Sequence, residues 1–289
     1  MILDKARGYR AFFSTETISD DLRGAVVINA FFESSTRTRS SFEIAAKRLG
    51  AHVINFQSQS SSISKGESLK DTLCTLDAMA PDIIVMRHNQ SGAAEYATRL
   101  VRSRVMNAGD GMHEHPTQAL LDVLTLSDFF TDLRSRSIGI VGDLLHSRVF
   151  RSNVHLLHTL GAKVHVCAPS TLVPRDMDAF PVTRHQDLHS LLASVDAVMM
   201  LRLQNERMNG GLLPRGREYG KRFGLTMEHL QRFPDLQVLH PGPANYGWEM
   251  DEAVSLHPRC HMRTQVTNGV YVRMACMKLI ADGGEVLPR

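Results

Sequence analysis

FFESSTRTRSSFE, residues 31–43, follows the apolar run Val26-Val27-Ile28-Asn29-Ala30. From Val26 to Phe32 the chain has the composition of a buried strand. Beyond the stretch, Phe42, Ala45, Ala46 and Leu49 recur at helical spacing and Gly50 ends the pattern. Between strand and helix stand Ser35, Thr36, Arg37, Thr38 and Arg39. Backbone N–H groups at a helix start are unpaired and the helix dipole is positive there, so an oxyanion is favoured. Hydroxyls add donors, and a guanidinium adds a fork that matches phosphate. A plain helix cap needs one Ser or Thr, not four polar donors in a row. The cluster therefore reads as an oxyanion site.

Strand-like and helical patterns alternate along the rest of the chain. The expected strands are 26–32, 52–56, 82–87, 104–108, 137–142, 163–168, 197–202 and 237–240. Helical patterns between them include 41–49, 68–80, 92–103, 118–130 and 151–161. Such β-α alternation predicts an α/β protein of parallel sheets with helices on both faces. A chain of 289 residues is long enough for two such domains. QALLDVLTLSDFFTDL, near residues 118–133, reads as a bridge between two halves, and the helical end from about Gln265 packs back on one of them.

Hydrophobic content of 43% and charged content of 22% belong to a globular protein. A net charge of +3 is too small to argue for nucleic acid as partner. The 14 histidines make the chain more positive in mild acid. Cys74, Cys167, Cys260 and Cys276 form no C-x-x-C pair, which argues against a structural zinc module. Cys167 and Cys276 read as buried free thiols. The N-terminal MILDKARGYRAFF carries early charges and no long apolar core, so it does not read as a signal peptide. No apolar run is long enough to span a bilayer. A cytoplasmic enzyme is the expectation.

In open parallel sheets, ligands bind beyond the carboxyl ends of the strands. The Ser-rich loop QSQSSSISKGES, 57–68, contains Ser61 and ends near Lys65, which is either a point charge for an anion or a solvated tip. Strand 82–87 ends at Arg87-His88. After strand 104–108 comes GDGMHEHPTQALLD, where Gly109 and Gly111 permit a tight turn and Pro116 suits a first helical turn. His115 and Gln118 then stand at a helix start, and His115 suits a hydrogen bond to a reacting carbonyl. A zinc reading of His113-x-His115 would need a further ligand, and neither a Cys pair nor H-E-x-x-H accompanies it, so no metal is expected. GIVGD at 139–143 lacks the full dinucleotide fingerprint but leads to Arg148 at a helix mouth. Strand 197–202 ends in Arg202-Leu203-Gln204, and strand 237–240 in the backbone-stiffening run His240-Pro241-Gly242-Pro243. No nucleophile–base pair stands out. The inventory suits anionic substrates and a reaction driven by positioning and charge stabilisation.

These motifs together resemble the aspartate carbamoyltransferase catalytic chains of the aspartate/ornithine carbamoyltransferase superfamily. FFESSTRTRSSFE, SSISKGESLKDT, VMRH, NAGDGMHEHPTQALLD, GDLLHSRV, LRLQNER, HPGPAN and QVTNGVYVRMA match in the family's order, from about residue 22 to residue 280. The first motif marks carbamoyltransferases in general, and the later ones narrow the acceptor. The resemblance implies two doubly wound domains, each a parallel sheet flanked by helices, joined by long helices. Residues 1–130 would bind carbamoyl phosphate, residues 131–264 would bind aspartate, and residues 265–289 would pack back on the first domain. It implies carbamoyl transfer from carbamoyl phosphate to the amine of L-aspartate, a step of pyrimidine biosynthesis. Attack is direct, without covalent enzyme intermediate, metal or organic cofactor.

Carried over by the resemblance, Ser35, Thr36, Arg37 and Thr38 bind carbamoyl phosphate, with Arg37 on the leaving phosphate. Arg87, His115 and Thr38 polarise the carbamoyl oxygen. Gln118 and the backbone around Pro241-Gly242 hold the carbamoyl amide. Arg148, Arg202 and Gln204 bind aspartate. Ser61 and Lys65 match residues that reach a neighbouring subunit's site, which implies a homotrimer with shared sites. Some relatives add a regulatory chain or a dihydroorotase partner, and the sequence leaves that choice open.

The first helix begins part-way along the family's pattern. Tyr246 stands where many relatives have arginine, which bears on aspartate affinity, and Phe150 replaces a smaller residue. An ornithine acceptor is disfavoured by Arg202, and that family usually shows His-Cys-Leu-Pro at residues 240–243. A non-catalytic binding protein of this fold would be expected to have lost some of these site groups.

Overall fold

A computed structural model describes residues 1–57, 67–204 and 216–283. The chain folds as two units, one of Met1–Leu121 with the chain from Val266 on, the other of Asp122–Gln265. The first unit holds α1 (Ile2–Phe12), β1 (Val26–Phe31), α2 (Thr36–Arg48), β2 (His52–Gln57), α3 (Leu69–Ala78), β3 (Ile83–His88), α4 (Ala93–Thr98) and β4 (Arg104–Asp110). α5 (Pro116–Leu126) runs across the boundary into the second unit. There follow β5 (Ser137–Val141), α6 (Arg148–Thr159), β6 (Lys163–Cys167), β7 (Val182–His185), α7 (Leu188–Leu192) and β8 (Ala197–Met200). The second unit continues with α8 (Gly216–Phe223), α9 (Met227–Arg232), β9 (Gln237–Leu239) and α10 (Glu252–Leu256). α11 (Met262–Ala281) crosses back.

Both sheets are parallel throughout, in the orders β2-β1-β3-β4 and β7-β6-β5-β8-β9. In each sheet the winding reverses once, between β1 and β3 in the first and between β5 and β8 in the second. A reversal splays the connections after its two strands apart and leaves a crevice at their carboxyl ends. The first crevice is bounded by the segment after Phe31 and by Arg87, the second by the segments after Val141 and Met200.

Each predicted strand is present to within two residues at either end. β7 (VTRH) was not expected. It is an edge strand with no apolar run and its side chains are exposed or half-buried, so periodicity carries no signal for it. α2 begins at Thr36, earlier than its apolar pattern, because its first turn is the polar cluster itself. α4 and α5 end earlier than expected, at Thr98 and Leu126.

α2 packs on β1 and β2. It buries Phe42, Ala45 and Ala46 completely, and a Phe of that kind contributes about 2 to 3 kcal/mol by leaving water. Arg273 of α11 is itself buried, donates to Ser41 Oγ at 2.7 Å and lies 4.9 Å over the Phe42 ring. In the second unit, buried Asp122 of α5 accepts from Asn153 of α6 at 2.9 Å and from Gln265 of α11 at 2.7 Å. Gln265 in turn accepts the His240 N–H at the end of β9, 3.0 Å away. Burial pushes the Cys167 thiol up to about 11 and the Cys276 thiol up to about 12, so both stay protonated and inert. Among the described residues, no helix is long and apolar enough to cross a membrane.

Burial holds His88, His165, His229 and His261 below the ordinary imidazole value of 6.5. His88 and His229 each use Nδ1 to accept a backbone N–H, from Gln90 and Thr226, and protonation would abolish that acceptor. The unfolded chain takes up these protons near pH 6.5 and the folded chain only below it, so stability falls as pH drops through 6.5. Asp77 and Glu43, lowered by side-chain hydrogen bonds to Ser103 and Lys47, stay ionised there. The urea midpoint is therefore expected to fall between about pH 7.5 and about pH 5.5. An unchanged or rising midpoint would contradict this.

Candidate active site

In the first unit the site begins where β1 turns into α2. Ser35 is the residue before the helix, in extended conformation (φ −161°), and no hydrogen bond from its side chain caps the helix. Thr36, Arg37 and Thr38 form the first turn, with Arg37 exposed and Thr38 half-buried. This turn lies just beyond the carboxyl end of β1, and a helix start there offers N–H groups to a ligand. Arg87, near the end of β3, extends over the same turn. Its Nη1 lies 3.4 Å from both Thr38 Oγ1 and the Ala108 carbonyl, and its Nη2 donates to Glu33 at 3.0 Å. Its side chain is only 11% exposed, so an arriving anion would meet a guanidinium already desolvated and aimed.

His115 and Gln118, both buried, flank the start of α5. The segment before them is held by Asp110, which is almost fully buried. Its carboxylate accepts from the Gly92 N–H at 2.7 Å, Asn107 Nδ2 at 2.9 Å and the Glu114 N–H at 3.1 Å, and it meets His113 Nδ1 at 3.0 Å. The His113-x-His115 pair is thereby divided, with His113 on Asp110 and His115 at the helix start. Gly111 (φ +50°) is required here, since a Cβ would sit 2.6 Å from Ser91 N.

In the second unit, Ser147 accepts the Phe150 N–H at 3.1 Å and starts α6, so Arg148 is its first residue and is buried. Arg202 and Gln204 follow β8 directly. Asp143, at the end of β5, accepts the His146 N–H at 3.0 Å and the Gln204 N–H at 3.3 Å, so one carboxylate ties together both lips of the second crevice. Pro241 and Gly242 (φ +65°) follow β9, with the Gly242 N–H donated to His240 Nδ1 at 2.8 Å. Tyr246 is about half exposed and Phe150 is fully buried against Phe180.

Ser35, Thr36, Arg37, Thr38, Arg87, His115 and Gln118 thus belong to the first unit, and Arg148, Arg202, Gln204, Pro241 and Gly242 to the second. Ser61 and Lys65 lie outside the described residues. The sequence reading did not single out Glu33, Asp110, Asp143 or Glu249. Asp110 and Asp143 do follow glycines at strand ends, a place where a carboxylate can collect turn N–H groups.

The carbamoyl-P binding domain model of aspartate/ornithine carbamoyltransferases matches residues 1–128, and the Asp/Orn binding domain model matches residues 134–280. The chain is 52% identical to the aspartate carbamoyltransferase catalytic subunit of Acidothermus cellulolyticus, across 91% of this chain and 82% of that one. It is 50% identical to that of Gluconacetobacter diazotrophicus, across 98% and 89%. Among solved structures it is similar to Trypanosoma cruzi aspartate transcarbamoylase in complex with carbamoyl phosphate and aspartate. There the TM-score is 0.86 at 30% identity, covering 96% of this chain and 91% of that one. The M. jannaschii catalytic subunit gives 0.85 at 33%, covering 99% and 94%. The chain belongs to the aspartate/ornithine carbamoyltransferase family.

Asp110→Ala leaves the Gly92, Asn107 and Glu114 donors without their shared acceptor. It is expected to lower the unfolding free energy by about 2 to 3 kcal/mol in urea titrations. A loss below about 0.5 kcal/mol would mean that Asp110 does not hold the His115 segment.

Proposed function

We propose that this chain is an aspartate carbamoyltransferase. It transfers the carbamoyl group of carbamoyl phosphate to the amine of L-aspartate, giving N-carbamoyl-L-aspartate and phosphate, a step of pyrimidine synthesis. The observation that carries the acceptor is the pair of arginines at the second sheet's reversal, Arg148 opening α6 and Arg202 just beyond β8. Two guanidiniums suit a dicarboxylate, and they would repel the ammonium side chain of ornithine.

The amine of aspartate attacks the carbamoyl carbon as the bond to the phosphate oxygen breaks. Phosphate departs with that electron pair and takes up the proton that the amine gives up. Arg37, with Ser35, Thr36 and Thr38, takes the charge gathering on the leaving phosphate. Arg87, His115 and Thr38 stabilise the carbamoyl oxygen, where donors placed in advance are worth most. Gln118 and the backbone at Pro241-Gly242 orient the carbamoyl amide. Arg148, Arg202 and Gln204 hold the two carboxylates of aspartate. Positioning and charge stabilisation suffice, so no cofactor takes part.

Residues 1–130 act as the carbamoyl phosphate domain, residues 131–264 as the aspartate domain, and residues 265–289 return to the first. The working assembly is a homotrimer in which Ser61 and Lys65 of one chain complete a neighbour's site. Ile44 on α2 and Ile54 on edge strand β2 are about half exposed, a surface that suits subunit contact. The compartment is the cytoplasm, where free thiols such as Cys74, Cys167, Cys260 and Cys276 persist.

Steady-state assays with carbamoyl phosphate, following phosphate and carbamoylated product, are expected to show turnover with L-aspartate and none with L-ornithine. Turnover with ornithine alone would refute the acceptor assignment. Lys65→Ala and Arg37→Ala chains, each inactive alone, are expected to regain activity when mixed and reassembled, through sites built from intact halves. No recovery despite proven mixing would exclude shared sites.

A further inference from the structure

Glu249 lies between β9 and α10, just past the Pro/Gly run, and is fully buried. Its Oε1 accepts the Leu203 N–H at 2.8 Å and Asn245 Nδ2 at 2.6 Å. Its Oε2 accepts the Asn245 N–H at 2.5 Å and faces His240 Nε2 at 3.3 Å. Because His240 Nδ1 accepts the Gly242 N–H, the imidazole proton sits on Nε2, toward Glu249. Both oxygens therefore meet donors only.

A buried carboxylate is costly to place, and closing a turn does not require one. What this one holds explains the cost. Leu203 lies between Arg202 and Gln204, while His240 and Asn245 bracket Pro241-Gly242. The segment carrying Glu249 is pressed against α8, where a Cβ at Gly220 would come within 2.6 Å of the Gly247 carbonyl and one at Gly224 within 2.7 Å of the Trp248 carbonyl. The carboxylate is thus fixed from behind and grips two loops in front. Asp143 holds the neighbouring Gln204 N–H from the other side of the same loop.

We propose that Glu249 is a positioning residue for the acceptor: by locking the Arg202–Gln204 segment to the His240–Asn245 turn, it sets the affinity for aspartate. The proposal rests on the assignment of Arg202 and Gln204 to aspartate. Glu249 does not itself touch substrate, and it acts through the backbone of Leu203 and through Asn245.

Glu249→Gln keeps the shape but must turn an NH2 toward donors on one side, releasing either Leu203 or the Asn245 N–H. Asn245→Ala keeps the carboxylate and removes one side-chain donor, which covers the case in which Glu249→Gln does not fold. For wild type and both variants we would measure kcat, the KM of aspartate, the KM of carbamoyl phosphate and the melting temperature. Folded Glu249→Gln is expected to raise the aspartate KM about tenfold or more, and by a larger factor than any rise in the carbamoyl phosphate KM. Asn245→Ala is expected to shift the aspartate KM the same way by about threefold or more. A variant that melts earlier but keeps both KM values, or loses only kcat, would make Glu249 structural and overturn the proposal. Wild-type chain that fails to turn over aspartate would instead overturn the functional reading beneath it.

Discussion

A helix cannot satisfy the N–H groups of its own first turn, so side chains, water or a ligand must do so. That constraint organises this protein. At β1 and α2 the Ser35 side chain makes no cap bond, Thr36, Arg37 and Thr38 stand in the first turn, and Arg87 reaches in from β3 across the sheet's reversal. In the second sheet Arg148 stands at the start of α6, where Ser147 accepts the Phe150 N–H, and Arg202 follows β8. Each crevice therefore concentrates positive charge where the winding direction changes, the place in such sheets that side chains leave unfilled.

So much positive potential needs a rigid frame, and buried carboxylates supply it. Asp110 organises the segment leading to His115, Asp143 joins the ends of β5 and β8, and Glu249 joins the loops after β8 and β9. Each of the three accepts from two backbone N–H groups as well as from side chains, so much of its charge is spent on fixing the main chain. Glu33 is the exception, since it pairs directly with Arg87 at 3.0 Å. An incoming anion must compete with Glu33 for that guanidinium, which favours ligands carrying more than one negative charge over weak monoanions.

The sheets were legible because central parallel strands are buried on both faces and read as unbroken apolar runs, as Ile83–Met86 and Ile138–Val141 do. The candidate arginines stood out in the sequence because Arg37 and Arg148 fall at helix starts and Arg87 and Arg202 at or just past strand ends, where folding asks for no charge. β7 was not legible, because an exposed edge strand such as VTRH lacks both an apolar run and a clean alternation. The framing carboxylates were hidden for a different reason. Asp and Glu are ordinary in loops, and only the fold reveals that Asp110, Asp143 and Glu249 are buried and collect distant donors, as Glu249 does from the Leu203 N–H.

The proposed reaction puts the phosphate at the β1–α2 turn and gives Arg202 to the acceptor alone. Calorimetric titration of carbamoyl phosphate without aspartate tests this most directly, using wild type, Arg37→Ala and Arg202→Ala. Arg37→Ala is expected to bind about tenfold more weakly or worse, and Arg202→Ala to stay within about threefold of wild type. Undiminished binding by Arg37→Ala, or an equal loss in Arg202→Ala, would contradict it.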